Sequence, residues 1–287
     1  MSEEFTDGVL QLRDGRELAW RMRGTEGPVL LRIQGTPGSR IARDPDPSTQ
    51  GRLGVRYLTA DRPGYGGSTR KPGRGIADLA DDYAQLLDHH GLDRVAVTGR
   101  SGGGPHALAL AACQPDRVSA VSVIVGAAPL LAEEASRLVG INAEGYRRAE
   151  QGWEALHEFL VTMRRRLLED GMAKVLDDAP ADDRKRMADP AWQKGNAADT
   201  AEALRQGAEG WTDESMAMHG DWDFDPGRIR ASVVWWHGRG DLNAPFTAAE
   251  RAVARVPGAR LEVLAGEGHF ATLAHTEEIL QELLSRT

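Results

Sequence analysis

The chain reads Val95-Ala96-Val97-Thr98-Gly99-Arg100-Ser101-Gly102-Gly103 where a short apolar run meets a stretch of small residues. Short runs rich in β-branched residues are typical of buried β-strands, so Val95 to Thr98 is predicted as one. The next five residues fit the pattern G-x-S-x-G, in which the chain turns sharply from strand to helix and exposes a serine hydroxyl. Glycines on both sides remove the Cβ atoms that would obstruct this turn. The segment predicts a nucleophile at Ser101.

The glycine-rich segment is open to two other interpretations. Glycines before a helix also form phosphate-binding loops, but the segment fits neither G-x-x-x-x-G-K-[ST] nor the dinucleotide pattern G-x-G-x-x-G. A glycine-rich loop without chemical function stays an alternative, because G-x-S-x-G as a bare pattern is common. Its position between a predicted strand and a predicted helix over residues 102–113 favours the nucleophile.

A serine hydroxyl is a weak nucleophile, so this hypothesis needs a general base and an acid that orients it. Asp241 follows the predicted strand Val233 to Trp236 through a glycine turn, and His269 follows the predicted strand Leu261 to Leu264 through another. Ligands bind at the carboxyl ends of strands in open α/β sheets. We therefore expect Asp241 as the acid and His269 as the base. The alternatives are a turn-forming role for Asp241, and His237 or His275 in place of His269.

Acyl transfer also requires donors aimed at the developing oxyanion. The backbone N–H of Gly102, the residue after the nucleophile, is predicted as one donor. The second is expected from the loop Gln34-Gly35-Thr36-Pro37-Gly38-Ser39, with Thr36 as the donor.

The rest of the chain predicts an α/β architecture. Alternating residues on both sides of Asp14-Gly15 indicate an N-terminal β-hairpin, and strands then alternate with helices, which is typical of a parallel sheet. Residues 131–225 interrupt this alternation with helical patterns and four of the seven tryptophans. We expect a core domain of residues 1–130 and 226–287, with a helical cap inserted at 131–225.

Composition excludes several classes of function. The formal net charge of −8 and the interspersed signs argue against a nucleic-acid partner, and Arg164-Arg165-Arg166 is interpreted as the solvated face of a helix. Cys113 is the only cysteine, so a disulfide and a thiolate metal cluster are excluded, and its apolar neighbours predict a buried thiol. The acidic N-terminus lacks an apolar signal segment and no run is long enough for a membrane span. These features predict a cytoplasmic protein without a membrane partner.

Several blocks together resemble the α/β-hydrolase superfamily, in the branch that holds esterases, lactonases, C–C bond hydrolases and prolyl iminopeptidases. They are Gly35-Thr36-Pro37-Gly38, Asp61-Arg62-Pro63-Gly64-Tyr65-Gly66-Gly67-Ser68, the segment around Ser101, Gly238 to Asp241, and Gly266 to His269. The resemblance implies a mostly parallel central sheet with helices on both faces and an inserted helical cap. Relatives usually carry histidine where Gln34 stands, which puts the geometry of the oxyanion loop in question. The block from Asp61 to Ser68 is expected to support that loop.

The expected function is hydrolysis of an ester, thioester, lactone or amide of a small organic substrate through an acyl-enzyme, without cofactor or metal. Alternatives are a prolyl iminopeptidase-like aminopeptidase, a C–C hydrolase, a non-hydrolytic lyase or cyclase, and a non-catalytic binding protein on the same scaffold. An aminopeptidase would use cap carboxylates for the free amine, and the available glutamates, otherwise ordinary surface residues, are Glu133, Glu134, Glu209 and Glu214. The assembly is expected to be a monomer or homodimer. The candidate substrate contacts are Gln34, Arg100, Trp153, Trp211 and Trp222.

Overall fold

A sheet of eight strands organises residues 4–287, the part of the chain that the computed structural model describes. The strands are β1 (Phe5–Gln11), β2 (Glu17–Arg23), β3 (Val29–Ile33), β4 (Arg56–Ala60), β5 (Val95–Arg100), β6 (Val118–Ile124), β7 (Ser232–Gly238) and β8 (Arg260–Leu264). Their order is β1-β2-β4-β3-β5-β6-β7-β8. β2 pairs antiparallel with β1 and β4, and the other neighbours are parallel. The predicted hairpin and the predicted α/β fold class are confirmed.

Helices cover both faces of this sheet, as expected. In the described range the α-helices are α1 (Thr49–Leu53), α2 (Leu79–His89), α3 (Gly103–Cys113), α4 (Ala132–Ala135), α5 (Gly140–Glu150), α6 (Trp153–Asp170), α7 (Met172–Val175), α8 (Ala181–Met187), α9 (Pro190–Ala203), α10 (Glu209–His219), α11 (Phe246–Ala254) and α12 (Thr276–Leu284). Two 3-10 helices span Pro226–Arg228 and Ala271–His275. None of the helices in residues 4–287 combines the length and hydropathy needed to cross a membrane.

The two faces of the sheet follow from the alternation of side chains along each strand. Leu31 and Val97 pack in one apolar cluster with α2, α3 and α11. Their neighbours Leu30 and Ala96 point to the opposite face and pack with α12 and α1. Because both faces are covered, β3 and β5 are buried along most of their length, which explains why their sequences are mostly apolar.

The helices α4 to α10, residues 132–219, lie between β6 and β7 and are called the helical insertion below. Its apolar core joins α6 to α10 and includes Leu156, Leu160 and Trp211. Tyr65, from the segment before α2, is buried in the same cluster. The insertion therefore packs directly on loops of the sheet. The boundaries of the cap at residues 131 and 225 remain a prediction.

Buried charges also attach the insertion to those loops. Glu214 on α10 is fully buried, and its Oε1 lies 2.6 Å from Arg62 Nε and 2.9 Å from His106 Nε2. Burial alone raises the pKa of Glu214, but Arg62 and His106 outweigh this and hold it well below its usual value. Asp213 pairs with Arg70 at 2.6 Å. The insertion is thus attached to the Arg62 segment through one buried, ionised carboxylate, that of Glu214.

Two expectations about exposure are corrected by the structure. The sequence predicts Glu134 and Glu214 as surface glutamates, but both side chains are buried in ion pairs, Glu134 with Arg251 and Glu214 with Arg62. Cys113 was expected to be buried, yet it is exposed, because α3 ends there and its thiol faces away from the core.

We predict that Glu214→Gln lowers the free energy of unfolding by about 3–5 kcal/mol, since removing one partner of a buried ion pair leaves the other charge uncompensated. Urea denaturation followed by circular dichroism measures this. Glu133→Gln, at an exposed glutamate of the insertion, serves as the matched control and is expected to change the free energy of unfolding by less than about 0.5 kcal/mol. Equal effects of the two substitutions would contradict this description of Glu214.

Candidate active site

Ser101 stands in a strained turn between β5 and α3. Its φ angle is +50°, a left-handed conformation that residues with side chains rarely adopt. The turn is held by its backbone: Ser101 N–H donates to the carbonyl of Ile124 at 2.9 Å, and the carbonyl of Ser101 accepts from Gly104 N–H and Ala127 N–H. A Cβ on Gly103 would lie 2.3 Å from the carbonyl oxygen of Ile33. The glycine after the turn is therefore required by the close approach of β3.

Asp241 and His269 are brought together in the loops after β7 and β8. The Oδ2 of Asp241 accepts from His269 Nδ1 at 2.7 Å, and its Oδ1 accepts from the N–H groups of Asn243 and Ala244 at 2.8 and 2.9 Å. Burial opposes ionisation, but His269 and these donors outweigh it and lower the pKa of Asp241. Asp241 is thus a buried carboxylate that fixes the Nδ1–H tautomer of His269, which leaves Nε2 with the acceptor lone pair.

His237, the alternative base, is occupied by other partners. Its Nδ1 accepts from the indole of Trp235 at 3.0 Å, and its Nε2 donates to the carbonyl of Ala244 at 2.9 Å. Burial lowers the pKa of His237 and keeps the ring neutral. The other alternative, His275, pairs with Glu267 and Glu278. His269 is the histidine that the structure places with Ser101 on the wall of one cavity.

The predicted oxyanion loop lies against the turn at Ser101. A Cβ on Gly102 would lie 2.1 Å from Thr36 Oγ1, so the two predicted donor residues are neighbours, and both line the Ser101 cavity. Arg62 donates to the carbonyls of Gln34 and Gly35 at 2.6 and 2.8 Å. This is the supporting role expected for the segment from Asp61 to Ser68. Thr36 Oγ1 also donates to Glu214 at 3.1 Å, which ties the loop to the insertion.

The cavity at Ser101 has a volume of about 190 Å³ and a mainly apolar wall. The insertion supplies much of this wall through Leu167, Val175 and Trp211. A second lobe of about 170 Å³ shares Trp211 and continues towards His219. At the junction the side chains of Asn142 and Asn243 line both lobes, and Asn142 Nδ2 donates to Asn243 Oδ1 at 2.6 Å. A molecule in the two lobes would meet mainly apolar surface, with this amide pair among the polar groups of the wall.

One of the three candidate tryptophans lines this cavity. Trp211 is in its wall, whereas Trp153 donates its indole N–H to Asp213 at 2.8 Å and stacks on His157. Trp222 stacks on Phe224 with ring centres 5.2 Å apart, in the core beneath the sheet. The structure thus places Trp153 and Trp222 in packing roles away from Ser101.

Arg100 and Gln34 are also absent from the described wall of the cavity. The guanidinium of Arg100 donates to the carbonyl of His269 at 2.6 Å and to Thr272 Oγ1 at 3.2 Å. Gln34 is held through its carbonyl, and its Nε2 is buried without a hydrogen-bond partner among the described residues. Arg100 directly precedes Ser101, so its side chain connects the nucleophile turn to the loop that carries His269.

Residues that the sequence analysis missed complete the site. Asp183 on α8 accepts hydrogen bonds from the N–H groups of His269 and Phe270. Asp199 on α9 accepts from the N–H and Oγ–H of Ser39, in the loop that carries Thr36, at 2.9 and 2.6 Å. Both aspartates lie in acidic, helix-forming stretches typical of solvated surfaces, so no local signal distinguishes them. Over residues 4–287, no group of three or more His, Cys, Asp and Glu side chains is placed to hold a metal ion.

Comparison with known proteins places the chain in a family. The sequence profile of the alpha/beta hydrolase fold matches residues 28–276, which includes every block around the cavity. The chain belongs to the alpha/beta hydrolase fold family.

Two curated relatives illustrate how far the sequence similarity reaches. An uncharacterized hydrolase, YcgS of Bacillus subtilis (strain 168), is 29% identical over 110 residues, 38% of this chain and 38% of that protein. The dihydrolipoyllysine-residue acetyltransferase component of the acetoin cleaving system of Pseudomonas putida is 28% identical over 277 residues, 94% of this chain and 66% of that protein. The matches therefore leave a third or more of each relative uncovered.

Among solved structures, the enol-lactonase of Burkholderia xenovorans LB400 superimposes with a TM-score of 0.72 at 20% identity and covers 97% of this chain and 100% of that one. At this identity the likeness shows a common alpha/beta hydrolase fold.

The pKa of Asp199 predicts a pH-dependent contribution to stability. Burial raises this pKa to about 6 from 3.8, so the folded protein binds a proton that the unfolded chain has released between these values. Protonation of Asp199 therefore contributes to the free energy of unfolding at acid pH, and this contribution is lost as the pH rises through 6. Between pH 5 and 8 the melting temperature of the wild type should fall about 2–4 °C relative to that of Asp199→Asn. Differential scanning calorimetry at both pH values checks this, and a constant difference between the two proteins would refute it.

Proposed function

We propose that this protein is a serine hydrolase that cleaves an ester, thioester, lactone or amide of a small organic substrate through an acyl-enzyme. One observation carries the proposal: His269, whose Nδ1 is bound by Asp241, and the strained Ser101 turn open onto the same cavity, beside Gly102 and Thr36. Nucleophile, base, acid and oxyanion donors are thereby supplied by four separate loops at one edge of the sheet. This combination is what acyl transfer requires.

Each residue has a defined part in the proposed reaction. Ser101 Oγ attacks the carbonyl carbon while His269 Nε2 accepts the hydroxyl proton, and the N–H groups of Gly102 and Thr36 bind the oxyanion. The imidazolium then gives this proton to the leaving oxygen, nitrogen or sulfur, and the acyl-enzyme remains. Water repeats the sequence and releases the acid. Asp241 stays ionised and stabilises the imidazolium.

The cavity favours substrates with apolar groups on both sides of the reacting carbonyl. Its wall carries Leu167, Val175, Leu176 and Trp211, and no carboxylate from the described residues lines the two lobes. Burying apolar surface contributes about 25 cal/mol per Å², so acyl chains longer than acetyl should bind better. The fold-level likeness to an enol-lactonase agrees with cleavage at an acyl–oxygen bond, as an analogy between folds.

The aminopeptidase alternative lacks support at this site. A free α-amine needs a carboxylate partner, and Glu134 and Glu214 are already paired with Arg251 and Arg62. Gln34, which raised the possibility of C–C cleavage or of lyase and cyclase reactions, does not reach the cavity. A non-catalytic binding protein stays a distinct alternative that labelling of Ser101 tests.

Ser101→Ala is expected to lower kcat for p-nitrophenyl butyrate by roughly 10³ or more, because the nucleophile is lost while the pocket persists. Steady-state kinetics measure this, and Ser285→Ala, an exposed serine at the chain end, is the matched control. A fluorophosphonate probe should label the wild type and not Ser101→Ala. A folded wild type that resists the probe would favour the binding-protein alternative.

A substrate panel separates the remaining enzymatic alternatives. We expect kcat/KM to rise from p-nitrophenyl acetate to p-nitrophenyl butyrate by about 10-fold, since each buried methylene contributes about 0.8 kcal/mol. Proline β-naphthylamide should be hydrolysed at least 100-fold more slowly than the butyrate. Faster turnover of the proline amide would instead establish the aminopeptidase.

A further inference from the structure

Asp183 of the helical insertion is bound to the backbone of the histidine loop. Its side chain is fully buried, Oδ2 accepts from His269 N–H at 2.9 Å and Oδ1 accepts from Phe270 N–H at 2.7 Å. A Cβ on Gly268 would lie 2.4 Å from the same Oδ2, so the carboxylate packs directly against the backbone of the loop. One carboxylate thus binds the N–H groups of two consecutive residues in the loop that carries the imidazole.

The other side of the His269 backbone is held from the sheet. Its carbonyl accepts from Arg100 at 2.6 Å and from Thr272 Oγ1 at 2.8 Å. Arg100 is the residue before Ser101, so this hydrogen bond fixes the position of the histidine loop relative to the nucleophile turn. Asp183 acts on the opposite side of the same residue. Both peptide groups of His269 are therefore clamped, one by the insertion and one by the nucleophile turn.

Apolar contacts dock the insertion on this loop independently of the carboxylate. Phe270 packs against a cluster containing Leu176 and Met187, and its ring meets that of Trp192 at 5.6 Å. Removing the charge of Asp183 leaves these contacts in place. The carboxylate is thus separable from the packing of α8, which makes its role testable.

We propose that Asp183 is a positioning residue that seats His269 for proton transfer, so that the docked insertion completes the catalytic apparatus. This inference rests on the proposed function of His269 as the base. Asp241 fixes the imidazole ring at one nitrogen, and the position of Nε2 then depends on where the backbone of residue 269 lies. A misplacement of about 1 Å costs on the order of 10²-fold in rate.

The test is Asp183→Asn, whose amide retains one acceptor oxygen but presents an N–H group to the second backbone donor. We expect kcat for p-nitrophenyl butyrate to fall 10- to 100-fold while KM changes less than about 3-fold. Asp182→Asn, an exposed neighbour on α8, should behave as the wild type in both respects.

A wild-type kcat in Asp183→Asn would overturn the inference, as would a rise in KM as large as the fall in kcat, or an equal loss of kcat in Asp182→Asn. If Asp183→Asn does not fold, Asp183→Ser, which keeps an acceptor oxygen, is subjected to the same comparison. Ser101→Ala distinguishes the two proposals. An active Ser101→Ala defeats the proposed function itself, whereas an inactive Ser101→Ala beside a normal Asp183→Asn defeats this inference alone.

Discussion

The left-handed backbone of Ser101 is the constraint on which the site depends. A residue with a side chain pays about 1–3 kcal/mol to hold such a conformation. The cost is met because the turn is bonded on both sides, to Ile124 and to Ala127, and because β3 packs against it without a Cβ at Gly103. Val125, the residue directly after β6, also has a left-handed backbone, with φ +44°. Strain is thus concentrated at one edge of the sheet.

The helical insertion holds the surrounding loops through carboxylates that are buried or half-buried. Asp183 binds the loop of His269, Asp199 binds Ser39 beyond the oxyanion loop, and Glu214 binds Thr36 and Arg62. Each carboxylate would be costly to bury alone and is accommodated because donors from the sheet domain meet it. The loops extend from the strands of the sheet, and hydrogen bonds from the insertion help to fix their conformation. An apolar cavity then lies where the two meet.

The sequence allowed the fold and the order of nucleophile, acid and histidine to be predicted, because each depends on local rules. Ser101, Asp241 and His269 follow strands and are flanked by glycines, and this pattern is readable without coordinates. The partners of Arg100, Trp153 and Glu214 were not predictable, since a long side chain can pack or line a cavity with the same helical spacing. Asp183 lies 86 residues from the N–H that it binds, and its acidic helix is typical of surface. Pairing at such distance is decided by tertiary packing.

The most direct test of the account is a crystal structure of the protein inactivated by a fluorophosphonate. The account predicts phosphorus bonded to Ser101 Oγ, with the phosphonyl oxygen about 2.7–3.1 Å from the N–H groups of Gly102 and Thr36 and His269 Nε2 within hydrogen-bond reach of Oγ. An adduct on another residue, or a phosphonyl oxygen turned away from both amides, would contradict it.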